Sequence, residues 1–538
     1  MPALNLADLF ELVAAAAPDR PAMVTSERRL TFADLDARAN RLAHHLAQAG
    51  VAPGDHVGLQ LLNGTEYIEG MLAAFKVRAV PINVNYRYVE KELHYLFDDA
   101  DLVALVYHRQ FGPRVATAAE GLSGLRHFVV VEDASGEEPV SGSAPYEDAL
   151  AAAPEARPPG ERSGDDHYIA YTGGTTGMPK GVVWRQEDIF FAAMGGGDPF
   201  QLGNAITRPE EIAERLPEAG MVSLPTPPFM HVSAHWGAFQ TLFGGGKLVL
   251  APGGRFEPDA IWGLVGTEKV NVLVIVGDAM ARPLLDALSA AADAGRPYDT
   301  SSLFVVGSGG AILSATSKER LAEVLPGVMV VDGFGSSETG VVGTNTGAGA
   351  RFTVNDQTQV LDDAGRPVAP GTGAVGRLAR RGHVPLGYYK DEAKTAATFV
   401  VVDGVRWVLP GDMATVDADG TVVLLGRGSV SINTGGEKVY PEEVEGVLKS
   451  HPDVLDAVVV GVPDDRWGER VVAVITTRPG ADPSLEDIQA HSRQQLAGYK
   501  VPRELCRVDE MVRSPAGKAD YRWARETAAR ISEGTPRR

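Results

Sequence analysis

Between Tyr171 and Val182 the chain reads YTGGTTGMPKGV, with four glycines, three threonines and one lysine directly after Tyr168-Ile169-Ala170. These residue types suit phosphate. Glycine lets successive backbone N–H groups turn towards an anion, threonine hydroxyls add donors, and the Lys180 ammonium supplies charge. The loop is not of the Walker type, because Pro179 stands before Lys180 where that motif has glycine ahead of its Lys-Ser/Thr pair. Nor is a dinucleotide fingerprint present: Gly307-Ser308-Gly309 fails at its third glycine, where Ile312 stands. His231 and His235 are four apart, as on a zinc-binding helix, but Val232 occupies the position where such a motif needs glutamate, and no third ligand is evident. His235 therefore reads as structural.

The glycine-rich loop is the first of seven segments. After it come Pro227-Pro228-Phe229-Met230-His231, the pair Gly309-Gly310, and Phe334-Gly335-Ser336-Ser337-Glu338-Thr339-Gly340. Pro410-Gly411-Asp412 follows, then GRGSVSINTGGEKVYPEEVE from Gly426 to Glu445, and finally Ser514-Pro515-Ala516-Gly517-Lys518. In this order they resemble the superfamily of acyl-CoA synthetases, adenylation domains and luciferases, over nearly the whole chain. The resemblance implies an acid-thiol ligase that joins a small-molecule carboxylic acid to AMP at the expense of ATP and passes the acyl group to coenzyme A. A carboxylate is a weak electrophile and approaches ATP against like charge, so such chemistry needs a metal and preorganised donors.

The same resemblance implies roles. Glu338 would bind Mg²⁺, which suits a single carboxylate with phosphate oxygens and retained waters. Thr172, Gly173, Gly174, Thr175, Thr176, Gly177 and Lys180 would surround the phosphates. Phe334, with Gly335 and Ser337 beside it, would lie against adenine, Gly309 and Gly310 would let the base approach the backbone, and Asp412 and Arg427 would hold the ribose hydroxyls. Lys518 would act in adenylation. Gly435 and Gly436 would leave room for the pantetheine arm in the second half-reaction, so a small mobile domain would rotate between the two steps. His231 would wall the acyl pocket.

Several positions depart from the family pattern. Gly174 replaces the common serine, Phe334 and Ser337 replace tyrosine and threonine, Pro410 replaces threonine, and Ser429 stands where most relatives carry an Asp or Lys hinge. The segments GRGSVSINTGGEKVYPEEVE and SPAGKADYRWA look most like actinobacterial ligases that act on bulky acids such as steroid side-chain carboxylates or fatty acids. An alternative keeps the adenylation and changes the acceptor, or activates a small inorganic acid such as nitrite. A nucleotide-binding protein without catalysis is opposed by the presence of Lys180, Glu338, Asp412, Arg427 and Lys518.

The surrounding pattern must position these residues. Apolar Leu35, Ala39, Leu42 and Leu46 recur at helical spacing between a Thr31/Asp34 cap and Gly50. Apolar stretches at 57–62, 80–84, 102–107 and 128–131, separated by segments such as the helical Glu66 to Lys76, predict α/β architecture with a largely parallel sheet. Further stretches lie at 248–250, 272–276 and 303–306. The Pro/Gly-rich 154–164 reads as a surface loop. After about Pro367 short β-rich runs predominate, with a hairpin of 414–416 and 422–425 around Asp419-Gly420. We expect a large AMP-binding region over 1–427, with a β-rich subdomain, and a small α+β domain over 428–538, with strands at 458–462 and 471–476 and a helix at 485–496.

Length and composition set outer bounds. At 538 residues the chain suggests about three or four domain-sized units. A formal net charge of -20 gives no basic footprint for nucleic acid. No apolar run reaches about 18 residues, so no integral membrane segment is expected, and the acidic N-terminus is unlike a secretory signal. The single cysteine, Cys506, fits a reducing cytoplasm as a small buried residue. Self-association into a homodimer is left open.

Overall fold

The computed structural model describes residues 3–172, 178–198, 203–311, 313–345, 347, 350–434, 437–464, 468–513 and 519–534. Strands His56–Gln60, Val80–Asn83, Leu102–His108 and His127–Val131 are mostly apolar and mostly buried, and they pair in parallel. They form the middle of an eight-stranded sheet, which ends at one edge in His167–Thr172, Lys180–Arg185 and Gly387–Tyr388. The last two pairings are antiparallel.

A second sheet of 15 strands has two parts. Pro21–Val24, Lys247–Val249, Val222–Pro225, Val272–Ile275, Val305–Gly309 and Met329–Ser336 are neighbours in that order and run parallel. From Gly340–Asn345 onward pairing is antiparallel, and Arg351 and Phe352 join this part to the hairpin Asp412–Val416/Val422–Arg427. One hydrophobic cluster contains Ala104 and Val106 of the first sheet, Met23 and Leu248 of the second, and side chains of helices Leu6–Ala16, Phe32–Gln48 and Thr65–Lys76. Those helices are therefore a shared layer that fixes the two sheets against each other.

The chain leaves the second sheet through a single 3₁₀ turn, Gly428–Val430, and enters a third sheet of five strands. Val454–Asp464 and Gly468–Thr477 are its centre, with helices Pro441–Lys449 and Leu485–Arg493 on one hydrophobic face and Tyr521–Gly534 on the other. Cys506 is fully buried there, and burial pushes its thiol up to about 11.

Local signals translate directly. Thr31 and Asp34 form a complete capping box on Phe32–Gln48, whose Leu35, Ala39, Leu42 and Leu46 are buried. The hairpin at 414–425 is present, longer at both ends. Several expectations shift. The strand at 303–306 starts at Val305, because Leu303 N–H closes a turn on the Thr300 carbonyl. The helix at 485–496 ends at Arg493. The 154–164 segment is largely exposed but not purely a surface loop: the Arg162 guanidinium is buried, bonded to Asp8, Glu11 and the Lys76 carbonyl. Among the described residues no helix is long and apolar enough to cross a membrane.

Candidate active site

Thr172 ends one strand and Lys180 begins the next, and the two face each other across an antiparallel pair. The glycine-rich segment is thereby tethered at both ends to one edge of the first sheet. Gly173, Gly174, Thr175, Thr176 and Gly177, like Gly435, Gly436 and Lys518, lie outside the described residues. Strand Gly387–Tyr388 pairs with Val182 and Val183 and so brings a short helix, Glu392–Thr398, beside Lys180. Asp391 caps that helix by accepting the Lys394 N–H at 2.9 Å through Oδ1, and its Oδ2 takes the Lys180 ammonium.

Glu338 is at the tip of the tight turn between Met329–Ser336 and Gly340–Asn345, closed by Ser336 and Thr339. Glycine is required at 340: its φ is +66° and a Cβ would come within 2.5 Å of the Ala192 carbonyl oxygen. Trp184 Nε1 donates to the Ser337 carbonyl at 3.0 Å, tying the Lys180 strand to this turn. Tyr388 then donates its hydroxyl to Glu338 Oε1 at 2.8 Å. Burial, followed by the Glu338 charge, raises the Tyr388 phenol well above its ordinary range, so it remains a donor.

Two cations complete the surroundings. Lys394 Nζ lies 4.2 Å from the centroid of the Tyr388 ring, and its pKa is lowered by burial, an effect that Lys180 reinforces and Glu338 opposes. Asp412 and Arg427 are cross-strand partners with Nε to Oδ1 at 3.0 Å. Burial works against the Arg427 charge, but Asp412, Glu338 and Glu442 outweigh it and the guanidinium pKa is raised.

At the end of the parallel strands Gly309 faces Gly333, the residue before Phe334. Gly310 has φ +80° and open space where a Cβ would be. The Phe334 ring packs 5.4 Å from Phe352. Gly335 has a packing reason of its own, since a Cβ there would meet the Gly340 carbonyl oxygen at 2.2 Å.

His231 is half-buried at the N-cap of helix Val232–Phe243. Two asparagines that the sequence did not single out for this role hold the segment before it. Asn63 bonds the Pro227 carbonyl and the Phe229 N–H, at 3.0 and 2.7 Å. Asn83 bonds the Met230 carbonyl and both the N–H and carbonyl of Tyr171, so it joins the His231 segment to the strand entering the glycine-rich loop. His235 is structural as expected: it receives the Tyr168 hydroxyl and donates to the Phe229 carbonyl, and burial lowers its pKa to about 4.

The donor set around Glu338 is one carboxylate with cations nearby, and among the described residues no group of three or more His, Cys, Asp or Glu could hold a metal alone. That fits Mg²⁺ brought in with phosphate oxygens and waters, and does not fit a closed zinc site.

The sequence pattern described as AMP-binding enzyme matches residues 10–389, and that of the AMP-binding enzyme C-terminal domain matches residues 443–518. The chain is 50% identical over 534 residues to a 3-oxocholest-4-en-26-oate–CoA ligase of Rhodococcus rhodochrous, covering 97% of this chain and 96% of that one. It is 49% identical to a medium/long-chain-fatty-acid–CoA/3-oxocholest-4-en-26-oate–CoA ligase of Mycolicibacterium smegmatis, with coverage of 97% and 96%. Among solved structures, that of an anthranilate CoA ligase in complex with anthranoyl-AMP superposes with a TM-score of 0.85 at 25% identity, covering 99% of each chain. With the loop ends, the Glu338 turn and the Asp412–Arg427 pair in place, this chain belongs to the AMP-binding enzyme family.

Proposed function

We propose that this ligase activates a long-chain or steroid side-chain carboxylic acid with ATP and transfers it to coenzyme A. In the first half-reaction a carboxylate oxygen bonds to the α-phosphorus while the bond to the β-phosphate breaks and pyrophosphate leaves. In the second, the coenzyme A sulfur bonds to the acyl carbon and AMP leaves.

The observation that carries the reading is the convergence of three separate segments: the Tyr388 and Trp184 bridges join the Lys180 strand to the Glu338 turn, and the Arg427 guanidinium of the Asp412–Arg427 pair lies within reach of the Glu338 charge. In this reading Lys180 holds departing phosphate, Glu338 carries Mg²⁺, which would neutralise phosphate charge, and Asp412 and Arg427 hold the ribose. Gly309, Gly310 and Phe334 form the adenine end, His231 borders the acyl group, Lys518 serves adenylation, and Gly435 and Gly436 serve the thiol. The division into 1–427 and 428–538, with movement at Gly428–Val430, belongs to the same proposal, as does a cytoplasmic location, which the buried free Cys506 supports.

The choice of acid rests on the names of the two relatives at 49 and 50% identity. The test is coenzyme A consumption with a panel running from acetate through palmitate to 3-oxocholest-4-en-26-oate. The highest kcat/KM is expected with the long-chain or steroid acids. Pyrophosphate exchange without coenzyme A consumption would move the acceptor elsewhere, and a preference for short acids would reject the substrate class.

A further inference from the structure

The lysines of this chain divide by what meets their ammonium groups. Among the described residues, each buried or half-buried lysine other than Lys394 has a carboxylate partner: Lys76 has Glu11 and Asp36, Lys180 has Asp391, Lys247 has Glu268, Lys318 has Asp332, Lys449 has Asp456 and Lys500 has Glu443. Lys394, half-buried on the helix Glu392–Thr398, has the face of the Tyr388 ring and no ion pair among the described residues.

Its position is held from two sides. The Lys394 backbone N–H is fixed on Asp391 Oδ1, and the other oxygen of that carboxylate holds the Lys180 ammonium, so a single group ties the Lys394 backbone to Lys180, whose charge acts on the Lys394 ammonium. The Tyr388 ring beneath the ammonium points its hydroxyl at Glu338. The charged groups that act on Lys394 are those of the site itself: Glu338, Lys180, Asp391 and Arg427. Burial already disfavours its charge, so an anion arriving there is worth more than on open surface.

We propose that Lys394 is a second phosphate-binding cation, which together with Lys180 holds the β- and γ-phosphates of ATP and the pyrophosphate that leaves. The assignment rests on the reading of this site as the ATP site. Two lysines whose charges act on each other suit a diphosphate, whose charge is spread over two centres, better than a lone carboxylate. AMP, which lacks those phosphates, does not need Lys394.

The experiment compares Mg·ATP and AMP binding by titration calorimetry in the wild type, Lys394→Met and Lys394→Arg, with product inhibition by pyrophosphate measured alongside. Loss of one charge-assisted contact should weaken Mg·ATP and pyrophosphate about tenfold in Lys394→Met. AMP affinity and KM for the acid should stay unchanged, and Lys394→Arg should recover most of the loss. Parallel weakening of AMP and ATP would overturn the proposal, since it would mean that Lys394 only supports Tyr388 and Glu338. Unchanged ATP and pyrophosphate affinity would overturn it equally. Wild-type protein that binds neither nucleotide would overturn the ATP-site reading itself, and this proposal with it.

Discussion

Replacing Tyr388 with phenylalanine removes one oxygen and keeps the ring, in a position only 7% exposed, where the smaller side chain occupies the same space. What disappears is the 2.8 Å hydrogen bond to Glu338 Oε1. A hydrogen bond to a charged group contributes about 1.5–3 kcal/mol. If the whole of it were needed in the transition state, adenylation would slow by about 10- to 100-fold. Water can replace part of such a bond once one partner is removed, and we expect the lower end, about tenfold, in ATP–pyrophosphate exchange. The assay is exchange as a function of Mg²⁺ concentration for the wild type, Tyr388→Phe, Glu338→Gln and the double variant. If Tyr388 acts by aiming the Glu338 carboxylate at Mg²⁺, Tyr388→Phe should need more Mg²⁺ for half-maximal exchange. Glu338→Gln should show the same displacement more strongly, and the two losses should not add. Superimposable Mg²⁺ curves for wild type and Tyr388→Phe, or full additivity in the double variant, would refute the reasoning.

Lys518→Ala should slow adenylation by about ten- to a hundred-fold while sparing thioester formation from supplied acyl-AMP, and equal loss in both half-reactions would reject that role. Ser429→Pro, in the 3₁₀ turn between the second and third sheets, fixes φ near -65° and should lock one domain orientation, keeping one half-reaction and losing the other. Small parallel losses with circular dichroism unchanged would place the hinge elsewhere. Glu442 packs against Gly426, and burial, followed by Glu445 and Asp412, raises its pKa from 4.5 to about 7. A raised carboxyl pKa means that the folded state binds the extra proton, so its contribution is present below pH 4.5 and is lost as pH rises through about 7. Glu442→Gln should therefore flatten the fall in Tm over that window and raise Tm relative to wild type at pH 8; an unchanged pH profile would contradict the assignment.

Signals confined to a few consecutive residues were readable without coordinates. The Thr31–Asp34 cap and the hairpin read at 414–425 follow from neighbours in sequence, and the seven motif segments carry the family directly. The groups that bind those segments together were not readable. Asn63 lies outside all seven segments and proves to hold the Pro227–Phe229 backbone. Asn83, Tyr388, Asp391 and Lys394 lie outside every motif: Asn83 acquires its meaning only when the Met230 segment meets the strand ending at Thr172, and the other three only when strand Gly387–Tyr388 joins the edge of the first sheet beside Val182. Arg162 was hidden for a similar reason, because a Pro/Gly-rich segment gives no sign that one guanidinium turns inward to Asp8 and Glu11.

The bonds that assemble the site span long stretches of chain: 166 residues from Asn63 to Phe229, 147 from Asn83 to Met230, 153 from Trp184 to Ser337 and 211 from Lys180 to Asp391. Each closes a large loop before it returns any stabilisation, so the entropy of closure must be met first. During synthesis, a nascent chain that has emerged as far as Arg185 can pair the strands of the first sheet up to that point, yet it holds Lys180 without its carboxylate. Glu338 waits in the same way for Tyr388. The site is therefore a late product of folding, and until residue 427 has left the ribosome the emerging chain has a scaffold for a nucleotide without all the groups proposed to grip one.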